Sequence, residues 1–217
     1  MLLKISKNEA QKLIECLDLY SRVFMGQYDQ ILFQIRFSRI RSKAGLTDYY
    51  MREEEIEEAL HKARNLALPD AKHFGFNGSY GIWSDKNDMR SIIAYDIQQV
   101  LRHSLAYHDH PEGGITVNFR EPWIHGDTEP IKVSFEGADL NPDVIIEMNE
   151  RNRAIITDAV KSYLFFYKGK MKQFLEFFTD NDEAIRLVDE LELDKYPVPA
   201  DVKEFERLLS KVEDLKN

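Results

Sequence analysis

Residues 201–215 read Asp-Val-Lys-Glu-Phe-Glu-Arg-Leu-Leu-Ser-Lys-Val-Glu-Asp-Leu, and their apolar positions return every three or four residues. That spacing places them on one face of an α-helix, with Asp201 and Glu204 as a capping pair at its start. The same spacing returns along most of the chain. It predicts helices at 6–35, where Gly26 either ends one helix or permits close packing, and at 53–68, 87–107, 149–167, 171–178, 182–191 and 201–215.

Two segments near the middle, 115–119 and 131–135, alternate apolar and polar residues as half-buried strands do. We expect them to pair with each other and with a short strand at 1–5. The predicted fold class is α+β, predominantly α-helical with a small antiparallel β element near the middle of the chain. We expect a single domain over 1–217, with an α+β part at 1–140 and a helical part at 141–217 as the alternative.

Composition excludes several classes of protein. The formal net charge of −9 argues against nucleic-acid binding, because such proteins need a surplus of Lys and Arg to displace counterions. Cys16 is the only cysteine, so the chain has no intramolecular disulfide and no Cys-rich zinc site. No apolar run reaches the length of a membrane span, and the apolar N-terminal stretch is too short for a signal peptide. We expect a cytoplasmic protein with no membrane partner.

One region carries a cluster of polar and aromatic residues. The helix at 87–107 has a polar edge beside its apolar face, and the glycine-rich loop before it carries aromatic rings. Aromatic area, a fixed positive charge and orienting hydrogen bonds together suit a small polar or anionic ligand. The predicted ligand-binding residues are Tyr80, Trp83, Asp96, Gln99, Arg102 and His103. The alternative is an ordinary polar helix edge beside aromatics that pack onto the core.

Histidines near the end of this helix provide a different hypothesis. Alternate residues of an extended segment point the same way, so each of two short pairs could supply two metal ligands. The alternative metal ligands are His108, His110, His125 and Asp127, with His103 nearby. They would hold one divalent transition metal in a metal-dependent hydrolase. The helical H-E-x-x-H spacing is missing, and we therefore expect no cofactor.

Motifs for other chemistry are missing from the sequence. The glycines at 75, 78 and 81 match neither a dinucleotide fingerprint nor a P-loop, and no G-x-S-x-G elbow occurs. Cys16 lies within an apolar helical pattern, which is typical of a buried thiol and not of a nucleophile. These observations favour a non-catalytic protein.

Three strings resemble a family of small, uncharacterised proteins encoded by bacteriophages and prophages: 17–28 (LDLYSRVFMGQY), 77–82 (NGSYGI) and 94–103 (AYDIQQVLRH). The resemblance covers about residues 1–120 and implies a phage or bacterial origin, with no assigned activity. It directs attention to Met25, Gly26, Gln27, Tyr80, Arg102 and His103.

We therefore expect a non-catalytic, phage-type accessory binding protein in the cytoplasm of a bacterial host. It would hold a small polar or anionic ligand, or a host protein, between the 87–107 helix, the 73–86 loop and the 108–127 segment. The first alternative is the metal-dependent hydrolase. The second is a structural or assembly protein that forms homo-oligomers through 165–178. Residues 163–167 are apolar nearly all round, which implies either deep burial or a partner.

Overall fold

The computed structural model describes residues 1–38, 46–125, 131–137, 142–193 and 202–215. Within these ranges the chain is mostly helical, with one three-stranded antiparallel sheet. The helices are α1 (Lys7–Phe24), α2 (Asp29–Ser38), α3 (Leu46–Ala67), α4 (Met89–Asp109), α5 (Glu150–Tyr167), α6 (Met171–Leu175), α7 (Asp182–Asp189) and α8 (Val202–Glu213). The strands are β1 (Leu2–Ser6), β2 (Lys132–Glu136) and β3 (Asp143–Glu147). The predicted fold class is confirmed.

The sheet has the order β1-β3-β2, with Leu3 opposite Ile146 and Val133 opposite the same residue. The predictions of β1 and β2 are confirmed, but that of a strand at 115–119 is wrong. A 3₁₀ turn occupies Val117–Phe119, and side chains of α4 hydrogen-bond to this segment. The partner of β2 is instead β3, which the sequence analysis missed.

Local sequence signals explain several helix ends. The Ser6 backbone N–H donates to Glu9 Oε2 at 2.7 Å and the Glu9 N–H donates to Ser6 Oγ at 3.3 Å, a complete capping box for α1. Gly26 ends α1 with φ +87° in a Schellman motif, and Gly169 closes α5 in the same way. Of the two roles that the sequence allowed for Gly26, the structure shows that it ends a helix.

Helix α3 begins earlier than predicted. Its first residue is Leu46, so the glutamates at 53–55 lie in its middle and not in its first turn. Asp201, the predicted cap of α8, lies outside the described residues.

The chain divides into two compact units. Unit 1 contains Met1–Ser21, Met89–Val160 and Glu204–Asn217, and unit 2 contains Arg22–Asp88 and Lys161–Lys203. In unit 1 the buried faces of β1 and β3 contribute to the core, and Gln98 of α4 donates a hydrogen bond to Asp18 of α1 at 3.0 Å. The single-domain prediction and its alternative both stay predictions.

Unit 2 has an aromatic core. Tyr163 and Tyr167 stack with centroids 4.8 Å apart, and Phe166 contacts Phe174 at 5.3 Å. Tyr163, Leu164, Phe166 and Tyr167 are all buried within the chain. Of the two expectations for the apolar block at 163–167, deep burial or a partner, the structure shows burial, so this block gives no reason for self-association. Homo-oligomerisation itself stays a prediction.

Among the described residues, no helix is long and apolar enough to cross a bilayer.

Candidate functional site

The region of interest is the segment at 111–125, which follows α4 in unit 1. It has no strand or α-helix of its own and contains one 3₁₀ turn, at Val117–Phe119. It begins at a turn in which the Gly113 N–H donates to the His110 carbonyl at 2.8 Å. Gly113 has φ +78°, a conformation that favours glycine.

Phe119 is the first anchor of the 111–125 segment. Tyr107 Oη of α4 donates to the Phe119 carbonyl at 3.1 Å, and the two rings pack edge to face with centroids 5.3 Å apart. A Cβ at Gly114 would lie 2.4 Å from the Phe119 ring. The ring therefore packs between α4 and a glycine that no larger residue can replace without rearrangement.

Two predicted ligand-binding residues supply further anchors. Arg102 Nη2 donates to Asn118 Oδ1 at 2.6 Å, and Asp96 Oδ1 accepts the His125 backbone N–H at 2.9 Å. The Asp96 side chain is buried. Both groups thus engage the chain's own segment, which positions it along α4 from Arg102 to Asp96.

The other predicted ligand-binding residues have varied surroundings. In unit 1, Gln99 Nε2 donates to Gln98 Oε1 at 3.1 Å, and the His103 ring packs on Tyr107 at 4.8 Å. Tyr80 and Trp83 lie in unit 2. The Tyr80 ring packs edge to face on Phe74, and burial raises the pKa of its hydroxyl.

The 111–125 segment exposes large apolar side chains although its backbone is anchored. Ile115, Val117 and Trp123 are 102%, 66% and 64% exposed. Thr116 between the first two is extended, with φ −77° and ψ 163°. Ile115 and Val117 on either side of it both present apolar side chains to solvent. The alternation at 115–119 instead predicted a half-buried strand for Ile115 and Val117.

The alternative metal ligands are not gathered among the residues that the structure describes. The His108 ring packs on Phe135 at 4.1 Å, while His110 is exposed beside Glu112. No group of three or more His, Cys, Asp or Glu side chains in the described ranges could hold a metal ion. Asp127 lies outside those ranges.

Asp109, which lies between His108 and His110, forms an ion pair with Lys7. Its carboxylate accepts hydrogen bonds from Lys7 and His108. Burial opposes its charge, yet the hydrogen bonds from Lys7 and His108 keep the pKa of Asp109 below its usual value.

Arg64 in unit 2 is a residue that the sequence analysis missed. Its guanidinium is buried and donates to four backbone carbonyls at 2.8–3.2 Å, those of Phe74, Gly75, Phe76 and Gly78. It thereby fixes the loop that carries the three glycines. Nothing in the sequence separated Arg64 from the exposed cations of amphipathic helices, because apart from the neighbouring Asn65 side chain its partners are backbone carbonyls of a distant loop.

The same loop also contacts the turn after α1. Gln27 Nε2 donates to Ser79 Oγ at 3.0 Å, and the Tyr80 N–H donates to the Met25 carbonyl at 3.0 Å. These contacts join the part of the first string that lies in unit 2, residues 22–28, to the string at 77–82. Their turn and polar residues therefore have a structural role in joining two loops.

A shallow groove of about 210 Å³ lies on the surface where α3 and α7 meet in unit 2. Ala59, Leu187 and Leu191 form its apolar floor. The glutamates along its edges pair with basic residues of their own helices, as Glu58 does with Lys62 and Glu190 with Arg186. Such exposed pairs are ordinary helix-surface contacts.

Comparison with protein-family models, curated proteins and solved structures finds no match to this chain. The resemblance to phage and prophage proteins therefore stays a prediction.

Proposed function

We propose that this chain is a non-catalytic binding protein that holds a protein partner on the 111–125 segment. On the phage resemblance, that partner is a host protein. The observation that carries the proposal is the exposure of Ile115, Val117 and Trp123 on a backbone fixed to α4.

The energetics support this use of the segment. Moving one large apolar side chain out of water contributes about 1.5–3 kcal/mol. Association must also offset the entropy of ordering flexible groups, and a backbone that is already anchored reduces that cost. Tryptophan is enriched among the residues that dominate protein interfaces. An anchored segment with an isoleucine, a valine and a tryptophan in solvent suits protein recognition.

The surroundings of Asp96 and Arg102 favour a protein partner over a small anionic ligand. A small anion would need the Arg102 guanidinium, which bonds to Asn118. It would also have to tolerate the Asp96 carboxylate, which bonds to the segment's own backbone. Both groups fit the task of holding the segment in place.

A variant comparison tests the proposal. The triple variant Ile115→Ser/Val117→Ser/Trp123→Ser removes the exposed apolar side chains, and Leu2→Ser is the matched control because Leu2 is 62% exposed on β1 of the same unit. Immobilised wild-type and control chains should retain the same protein from a bacterial lysate, and the triple variant should lose it. Equal retention by all three chains would contradict the proposal. Thermal unfolding should show each variant folded, because exposed substitutions change stability by about 0.5 kcal/mol or less.

A further inference from the structure

We infer that the partner receives the 111–125 segment in an apolar groove bordered by lysine or arginine side chains. This inference rests on the proposed function and adds the chemistry of the partner. The observation behind this inference is the excess of Asp and Glu around the exposed apolar residues of the segment.

The sequence around the segment is acidic. Residues 108–130 contain five Asp and Glu but only one Lys or Arg, Arg120. The ranges of unit 1 together contain nineteen acidic residues against twelve Lys and Arg, a net charge of −7. A surface of this sign attracts a basic partner and repels an acidic one.

Two carboxylates of the 111–125 segment are exposed and can contact a partner. Lys7 pairs with Asp109, but Glu112 and Glu121 are exposed on either side of Ile115 and Val117. The Glu112 side chain is 71% exposed, and its neighbour within ion-pair distance is the His110 ring at 3.4 Å. Exposed carboxylates at both ends of an apolar pair complement an apolar groove with a basic rim.

The net charge of unit 1 also argues against a second copy of the chain as the partner. Two copies that met through their 111–125 segments would bring together two units that each carry a formal net charge of −7. Like charges at an interface oppose association, so the acidic surroundings favour a different, basic protein.

The test uses a random dodecapeptide library displayed on beads. Peptides selected on the wild-type chain should combine apolar residues with an excess of Lys and Arg over the unselected library. The affinity of a selected peptide should fall at least about tenfold with Ile115→Ser/Val117→Ser, as for central interface residues. It should fall about two- to fivefold for each charge removed in Glu112→Gln/Glu121→Gln, as for exposed charge pairs. Leu2→Ser should leave it unchanged, and added salt should weaken it.

The outcomes distinguish this inference from the proposed function. Peptides that need Ile115 and Val117 but carry no excess of Lys and Arg, and bind equally to Glu112→Gln/Glu121→Gln, would overturn the inference and leave the proposed function standing. A library without any peptide that needs Ile115 and Val117 would overturn both. A dimer in analytical ultracentrifugation that Ile115→Ser/Val117→Ser dissociates would show that a second copy is the occupant, which also overturns the inference.

Discussion

The hydroxyl of Tyr107 bonds to the backbone carbonyl of Phe119 at 3.1 Å while the two rings pack edge to face. One aromatic pair thus supplies both a polar and an apolar contact between α4 and the 111–125 segment. Because the Phe119 ring also covers Gly114, it defines the conformation in which Ile115 and Val117 face solvent.

Gly114→Ala should disrupt this anchor. The new Cβ would lie 2.4 Å from the Phe119 ring, so the ring or the backbone must move. We expect a loss of about 1–3 kcal/mol in the free energy of unfolding, the usual cost of overpacking. Amide hydrogen exchange at 111–125 should become faster.

Gly81→Ala is the matched control for this change. A Cβ at Gly81 would meet nothing within 4 Å, and urea unfolding should be nearly unaffected. Equal midpoints for Gly114→Ala and Gly81→Ala would show that Phe119 does not hold the segment.

Arg64→Lys should destabilise unit 2 strongly. A lysine lacks the planar fork that reaches the four carbonyls of the 74–78 loop, and buried acceptors without donors cost about 1–3 kcal/mol each. We expect a loss of more than about 3 kcal/mol in urea denaturation.

Lys62→Met on the same helix is the control for Arg64→Lys. Lys62 pairs with Glu58 at the surface, with its side chain 58% exposed, so its loss should cost less than about 1 kcal/mol. A stability of Arg64→Lys close to that of the Lys62 variant would contradict the role assigned to Arg64.

Stability should decrease in mild acid because of His61. Burial and the positive charge of Arg64 lower the pKa of His61, while Glu57 has a smaller opposite effect. As the pH falls below the ordinary histidine value of about 6.5, the unfolded chain binds a proton that the folded chain does not yet bind. Neutral His61 therefore stabilises the folded chain fully above about pH 6.5. This stabilisation is lost as the pH falls towards the lowered pKa of His61 in the folded chain.

Thermal unfolding at pH 7.5 and 5.5 measures this effect. His61→Gln should reduce the difference in Tm between the two pH values, while the same change at the exposed His73 should leave the difference as in the wild type. A Tm difference that persists unchanged in His61→Gln would assign the acid sensitivity to other groups.

The purified chain should contain less than one equivalent of transition metal. His110→Ala should change the free energy of unfolding by no more than about 0.5 kcal/mol, since its side chain is 64% exposed. His108→Ala should cost about 1 kcal/mol, because its ring packs on Phe135. Elemental analysis that finds a full equivalent of zinc or manganese, lost when both histidines are replaced, would revive the hydrolase alternative.

The sequence predicted the helices well because each carries its own apolar periodicity. The capping box at Ser6 and Glu9 and the break at Gly26 are likewise local signals. Strand β3 was missed because its sequence does not alternate apolar and polar residues. Its core reads Val-Ile-Ile at 144–146, a short apolar run that lacks the alternation of a strand with one solvated face.

The candidate site was only partly predictable. The polar edge of α4 pointed to Asp96 and Arg102. Asp96 bonds to the backbone of His125 and Arg102 to the side chain of Asn118, contacts that no local pattern encodes. Alternation at 115–119 predicted a strand, whereas the segment's contacts with Tyr107 and Arg102 keep it in another conformation. Tertiary contacts overrode local strand propensity here.

The most direct test of the account is site-specific photo-crosslinking in living bacteria. A photoreactive phenylalanine analogue replaces Val117 in one variant and Leu2, exposed elsewhere in unit 1, in another. We predict that position 117 gives one discrete crosslinked protein and position 2 gives none. Absence of a product from position 117, or the same product from both positions, would contradict recognition through the 111–125 segment.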